Sequence, residues 1–204
     1  MAKNNRSGIL AIVREMLSDE HVAGTDQTWK DDELGKLISG CLIEISERSP
    51  YHVIEEVHTV AGSKDLDISA IEDLLWVEYI EYPTGEDPKE FHNCKVFGTT
   101  LTMEIDSAPS AADEDVHVYC AKVHQLTDVP LTGNTLNPSL ERLLALGVAG
   151  QAAINRAQYL INRVNNGGSS VPSQLQAWGT TQIQLYRAGL QKATGNRVSQ
   201  SYPR

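Results

Sequence analysis

Cysteine is scarce in this chain, and what there is lies scattered. Cys41, Cys94 and Cys120 are odd in number, widely spaced and without a C-x-x-C pair. That pattern speaks against a disulfide framework and fits a protein kept in a reducing cytoplasm. Long apolar runs are missing as well. None approaches the roughly 18–20 residues that span a bilayer, and Arg14 and Glu15 interrupt the opening "MAKNNRSGILAIVREML". Neither a secretory signal nor a lipidation motif is expected, and no membrane partner. Acids are nearly absent from the C-terminal third. From residue 137 onward, Arg142, Arg156, Arg163, Arg187, Lys192, Arg197 and Arg204 face a single acid, Glu141, for a net +6. The first 136 residues hold ten bases against 26 acids, a net −16. Two readings stay open: two solvated surfaces of opposite sign, or a basic end that meets an acidic partner or a neighbouring copy.

What is present suits a folded domain. Hydrophobic residues make up 41% and charged residues 22% of the 204, ordinary values for a globular chain and enough for one domain with an appendage. Ile9, Ile12, Val13, Met16 and Leu17 recur at helical spacing, with Ser7 available as a cap. A second helix opens after Trp29. Asp31, Asp32 and Glu33 suit its first turn, Arg48 its last, and Pro50 ends it. Leu34, Leu37, Ile38, Cys41 and Ile45 form its apolar stripe, so Cys41 reads as a small buried hydrophobe.

The period then changes. Val53, Val57, Thr59 and Val60 lie in a β-rich run. "LLWVEYIEYP" alternates, with Trp76, Glu78, Ile80 and Tyr82 on one side and Val77, Tyr79 and Glu81 on the other. One or two short strands are expected around Gly98, and "VHVYCAKVH" (116–124) supplies the last. Helical spacing returns at Asn137, a cap, and Pro138, a first-turn residue. That helix runs to about Asn165, with Leu140, Leu143, Leu144, Val148 and Ile154 on its apolar side. Gly147, Ala149, Gly150, Ala152 and Ala153 invite close approach by another element. A final helix starts near Pro172, carries Leu175, Trp178, Ile183, Leu185, Tyr186 and Leu190, and stops near Gly195. The expectation is an α+β chain: a helical body from residues 1–50 and 125–194, an antiparallel β-insertion at 51–124, and a flexible basic tail at 195–204.

Chemistry-bearing motifs are few. His117, Cys120 and His124 resemble a ligand trio, but alternation along a strand puts His117 and Cys120 on opposite faces. The pairs Glu55–Glu56, Asp31–Asp32 and Asp113–Glu114–Asp115 read as solvated carboxylates beside caps or turns. No G-x-S-x-G, H-E-x-x-H or phosphate loop occurs. No catalytic residue, metal or cofactor is expected. A small cytoplasmic hydrolase or transferase, its site formed only in three dimensions, is the rival from another class.

The order of motifs carries a resemblance. "W-x-D-D-E-L" opens a helix ending "SERSP"; "DLLWVEYIEYPTGEDP" and "DVHVYCAKVHQLTD" follow. "TLNPSLERLLALGVAGQAA", "YLINRVNNGG" and "LQAWGTTQIQLYRAGL" complete the series. From about Trp29 to Leu190 the chain resembles the head–tail connector (adaptor) proteins of tailed bacteriophages, nearest to the siphophage type. The β-insertion at 51–124 is a departure from the smallest members. The resemblance implies a non-enzymatic virion protein of the neck, made in the host cytoplasm. It implies a dodecameric ring of copies between the portal protein and a tail-completion or stopper protein. Double-stranded DNA would pass through its channel without sequence-specific binding. A tail-completion or capsid-binding role in the same virion is the nearer alternative. Lys192, Arg197, Tyr202 and Arg204 in the basic C-terminal segment are the expected contacts to the portal or the next subunit, through Arg–carboxylate pairing and a Tyr anchor.

Overall fold

Asn5 starts the first helix, α1 (Arg6–Met16), by accepting a hydrogen bond from Gly8 N at 2.8 Å. The cap is therefore Asn5 and not Ser7. Ser7 lies inside the first turn, where its backbone N–H and hydroxyl both donate to Asp128. The computed structural model describes residues 4–19, 28–128, 134–163 and 171–195. They divide into two compact units: residues 1–49 with 124–204, and residues 50–123.

The first unit is a four-helix bundle. α1 is followed by α2 (Asp31–Arg48), α3 (Pro138–Arg163) and α4 (Val171–Gly195). α2 carries its three acids in the first turn and Arg48 in the last, and Ser49–Pro50 end it. α3 is capped by Asn137, whose Oδ1 accepts from Ser139 N and Leu140 N at 3.0 Å each. Leu34, Ile38 and Ile45 of α2 are buried with Ile9, Val13, Leu140, Leu144, Val148, Tyr186 and Leu190 in one core. Small residues let α3 and α4 close on each other. A Cβ built on Gly147 would stand 3.0 Å from the Tyr186 ring. The Tyr186 hydroxyl, 3.0 Å from Glu44 Oε2, also reaches the Cys41 carbonyl at 3.3 Å. Burial and then the Glu44 charge push the Cys41 thiol up to about 11, so it packs as a neutral small side chain.

A buried ion network joins the end of α1 to the start of α2. Arg14, 8% exposed, donates to Asp19 Oδ2 at 2.6 Å, to the Trp29 carbonyl at 3.0 Å and to Asp31. Asp19 in turn accepts from Thr28 N and Trp29 N. A second hub sits at Glu141. Its carboxylate receives Asn4 N, Asn4 Nδ2 and Asn134 Nδ2 at 2.8–3.1 Å.

The second unit holds seven strands in two antiparallel sheets. These are β1 (Tyr51–His58), β2 (Asp65–Asp67), β3 (Leu74–Glu81), β4 (Phe91–His92), β5 (Cys94–Phe97), β6 (Thr100–Met103) and β7 (Asp115–Lys122). The sheet orders are β1-β7-β3-β4 and β2-β6-β5. β5 and β6 form a hairpin through Gly98, whose φ of +61° suits glycine. Val57, Ile80, Val116, Val118 and Cys120 from the first sheet meet Leu66, Leu101 and Met103 of the second in a separate core. β3 does not alternate cleanly. Register shifts between Leu74 and Trp76 and between Val77 and Tyr79 add residues to one strand only. Trp76 therefore pairs with Ala121 on the same face as Tyr79 and Glu81, while Val77 joins Ile80 on the core face. The whole is an α+β fold, a helical bundle with two small antiparallel sheets inserted between its helices.

Candidate functional site

Charge separates by unit. Residues 50–123 carry sixteen acids against four bases, a net −12, while the remainder carries eleven acids against thirteen bases, +2. The surplus negative charge of the chain therefore belongs to the β-unit. In the helical unit Glu141, the single acid beyond residue 136, is only 4% exposed and fully engaged. Arg142, Arg187 and Lys192 are exposed, and the Arg156 guanidinium sits 5.0 Å over the Tyr159 ring. Among the described residues, the surface of α3 and α4 is basic without interleaved acid. Lys192 lies in the last turn of α4. Arg197, Tyr202 and Arg204 lie outside the described residues.

The outward face of the four-stranded sheet is organised around one buried acid. Register places Glu81 of β3 opposite His117 of β7, and Tyr79 opposite Tyr119. Glu81 is 1% exposed. Its Oε2 receives the Tyr119 hydroxyl at 2.7 Å, Lys89 Nζ at 2.9 Å and His117 Nδ1 at 3.4 Å. Burial alone would raise its pKa. The hydrogen bonds from Tyr119, Lys89 and His117, with the Lys89 charge, win and hold the carboxyl at about 2. Glu81 is thus a fixed anion at neutral pH and no proton donor. Burial and the bond to Glu81 push the Tyr119 hydroxyl up, so it stays a donor.

Aromatic rings cover this centre. Tyr79 stacks on Tyr119 at 4.5 Å between centroids, and Phe91 meets both edge-on at 5.2 and 5.7 Å. Ile54, directly opposite Tyr119, is 51% exposed and Phe91 39%. Further apolar surface stands at the tip of the β5–β6 hairpin, where Phe97 is 90% exposed. A groove of about 600 Å³ between α1 and α2 is lined by Arg6, Leu10, Asp31, Lys36, Ile38 and Asp128. Its Arg6 guanidinium already donates to the Gly35 carbonyl across the two helices.

The trio His117, Cys120 and His124 is not brought together. Cys120 packs in the β-core with its thiol pushed up to about 11, chiefly by burial, while His117 lies on the opposite face. His124 belongs to the helical unit, where its ring meets Ser49 O at 2.8 Å and Thr135 Oγ1 at 2.9 Å. Glu55 and Glu56 lie inside β1 rather than beside a turn. The Glu81 centre escaped the sequence reading, although an acid amid "WVEYIEY" on a half-buried strand was a usable signal. No family model matches the chain, and no curated protein matches it.

Proposed function

We propose that this chain is a head-to-tail adaptor, a structural virion protein that assembles as a ring beneath a portal and joins capsid to tail. The observation that carries the reading is the segregation of charge: a β-unit of net −12 and, in the other unit, C-terminal helices whose described surface exposes bases and no acid. In a ring of identical copies, one subunit's basic helices have acidic β-units of neighbours to pair with. Opposite patches steer such contacts and fix their register. Carboxylates of the β-unit left outside those contacts suit a channel wall, because they repel the phosphate backbone and let DNA slide, whereas a basic wall would hold it.

Apolar surface supports a chain built for contacts. Ile43, Ile161, Val171 and Leu185 of the helices are each more than half exposed, and Phe97 projects from its hairpin. Aromatic side chains of this kind anchor interfaces. A single subunit contact is weak, while closing a ring on a template adds many together. The chain alone is therefore a monomer at micromolar concentration and a ring on its portal.

Sedimentation of the purified chain, alone and with the portal protein of the same genome, tests this. The expected result is a monomer that joins the portal at low salt and is released as salt rises. A tight dimer that ignores the portal at every salt concentration contradicts the reading.

A further inference from the structure

Two strands of the β-unit carry the same short pattern, a carboxylate, a spacer and a histidine. β1 has Glu56-Val57-His58, and β7 has Asp115-Val116-His117. The spacer valines turn into the core, so all four polar residues share the outward face. Antiparallel register then sets Glu56 opposite His117 and His58 opposite Asp115. Each carboxylate faces an imidazole from the other strand.

Three of the four side chains are grouped closely enough to share an ion, and His117 borders them at Glu56. His58 Nδ1 lies 3.1 Å from Asp115 Oδ1, and His117 Nε2 lies 3.9 Å from Glu56 Oε2. One ligand atom from each of Glu56, His58 and Asp115 falls within 4.8 Å of the others. Tetrahedral bonds of about 2.0–2.1 Å place ligand atoms roughly 3.3 Å apart; the His58–Asp115 pair already stands near that spacing, and the side chains of Glu56, His58 and Asp115 are each at least half exposed. Behind His117 stands the buried Glu81, in contact with the other ring nitrogen, Nδ1, at 3.4 Å. A carboxylate can only accept, so a bond to Glu81 uses Nδ1–H and leaves Nε2, the nitrogen on the Glu56 side, as the one to ligate. This is the supporting arrangement by which metal-binding histidines are oriented.

We propose that Glu56, His58, Asp115 and His117 form a binding site for a divalent transition-metal ion of the zinc type, with Glu81 as the residue that positions His117. Two imidazoles and two carboxylates select a borderline ion such as zinc over calcium or magnesium, which prefer oxygen ligands alone. β1 is an edge strand of its sheet. A bound ion ties it to β7 at the His58 end, and that consequence does not depend on the chain being an adaptor.

The test uses the untagged, full-length chain titrated with zinc chloride in a calorimeter, and with cobalt(II) read by its visible spectrum. One ion per chain and a tetrahedral cobalt band are expected. His58→Ala and Asp115→Ala, both at exposed positions, should each weaken zinc binding at least tenfold while the circular dichroism stays unchanged. Glu81→Gln should weaken it 10- to 100-fold without changing the stoichiometry, as loss of a supporting carboxylate does. Heat-induced unfolding of the wild type should shift upward with zinc, and that of His58→Ala should not. No binding at 100-fold molar excess of zinc overturns the proposal. Binding that is unchanged in both His58→Ala and Asp115→Ala overturns it equally.

Discussion

Gly150 of α3 and Gly179 of α4 meet backbone to backbone: a Cβ built on Gly179 would stand 2.7 Å from the Gly150 carbonyl oxygen. The same atom would lie 2.9 Å from Ile154 Cγ1 and 3.1 Å from Ala153 Cβ. Two glycines inside helices each cost about 1 kcal/mol relative to alanine. They are retained because the helices come too close for any side chain. Gly179→Ala should therefore destabilise the bundle by roughly 1–3 kcal/mol, the overpacking cost outweighing the gain in helix propensity. Gly40, in the middle of α2, is the control, since a Cβ there meets nothing within 4 Å. Gly40→Ala should raise stability by up to about 1 kcal/mol. Urea melts that move the same way for both variants contradict the close-approach account.

Arg14 holds the α1–α2 junction. Removing it leaves Asp19, 7% exposed, as a buried carboxylate without its cation. Arg14→Met should cost about 3–5 kcal/mol. Arg14→Lys should recover only part, because one ammonium cannot serve Asp19, Asp31 and the Trp29 carbonyl in the planar geometry of a guanidinium. Denaturant midpoints of the two variants check this, and equal stability of Lys and Arg at position 14 would count against the network.

Glu81 gives the β-unit an acid-sensitive term. Its folded pKa, about 2, lies below the ordinary value of 4.5. A depressed carboxyl stabilises fully above its unfolded pKa, and the contribution is lost as pH falls from about 4.5 towards 2. Lys89 is half exposed, so solvent screens part of the effect, and about 2 kcal/mol is expected. Glu81→Gln should lower stability at pH 7 and flatten the loss between pH 4.5 and 2. An unchanged acid slope in the variant would show that other carboxylates dominate.

Phe97 tests contact without fold. It touches little at the hairpin tip, so Phe97→Ser should alter the unfolding free energy by no more than about 0.5 kcal/mol. Assembly on a portal should nonetheless weaken. Deleting residues 196–204 should likewise spare folding and weaken assembly, most at low salt, where Arg–carboxylate pairs are least screened. Truncated chains that assemble normally would dismiss the basic tail as a contact, leaving Lys192 alone of the four expected residues.

Periodicity made the helices legible. The i, i+3, i+4 spacing marked Leu34, Ile38 and Ile45, and Asn137 with Pro138 marked the start of α3. Alternation likewise showed that Val116, Val118 and Cys120 share a face. What periodicity cannot supply is the partner across a sheet. His58 and Asp115 are 57 residues apart, and a one-residue slip in register would have separated them. The two register shifts in β3 are invisible for the same reason, and they moved Trp76 onto the face of Tyr79 and Glu81. Asn5 displaced Ser7 as the cap because either residue type serves, and only the path of the chain decides. Charge counting gave Glu141 only as the single acid among the C-terminal bases and could not say where it lies. Its hydrogen bonds to Asn4 and Asn134 depend on long-range packing, and they remove it from the surface.

Electron microscopy of portal rings incubated with the purified chain tests the adaptor reading most directly. The account predicts an added ring of twelve copies below the portal, coaxial with its channel and dispersed by high salt. Portals that remain bare at low salt, under conditions where the chain is folded by circular dichroism, would contradict it.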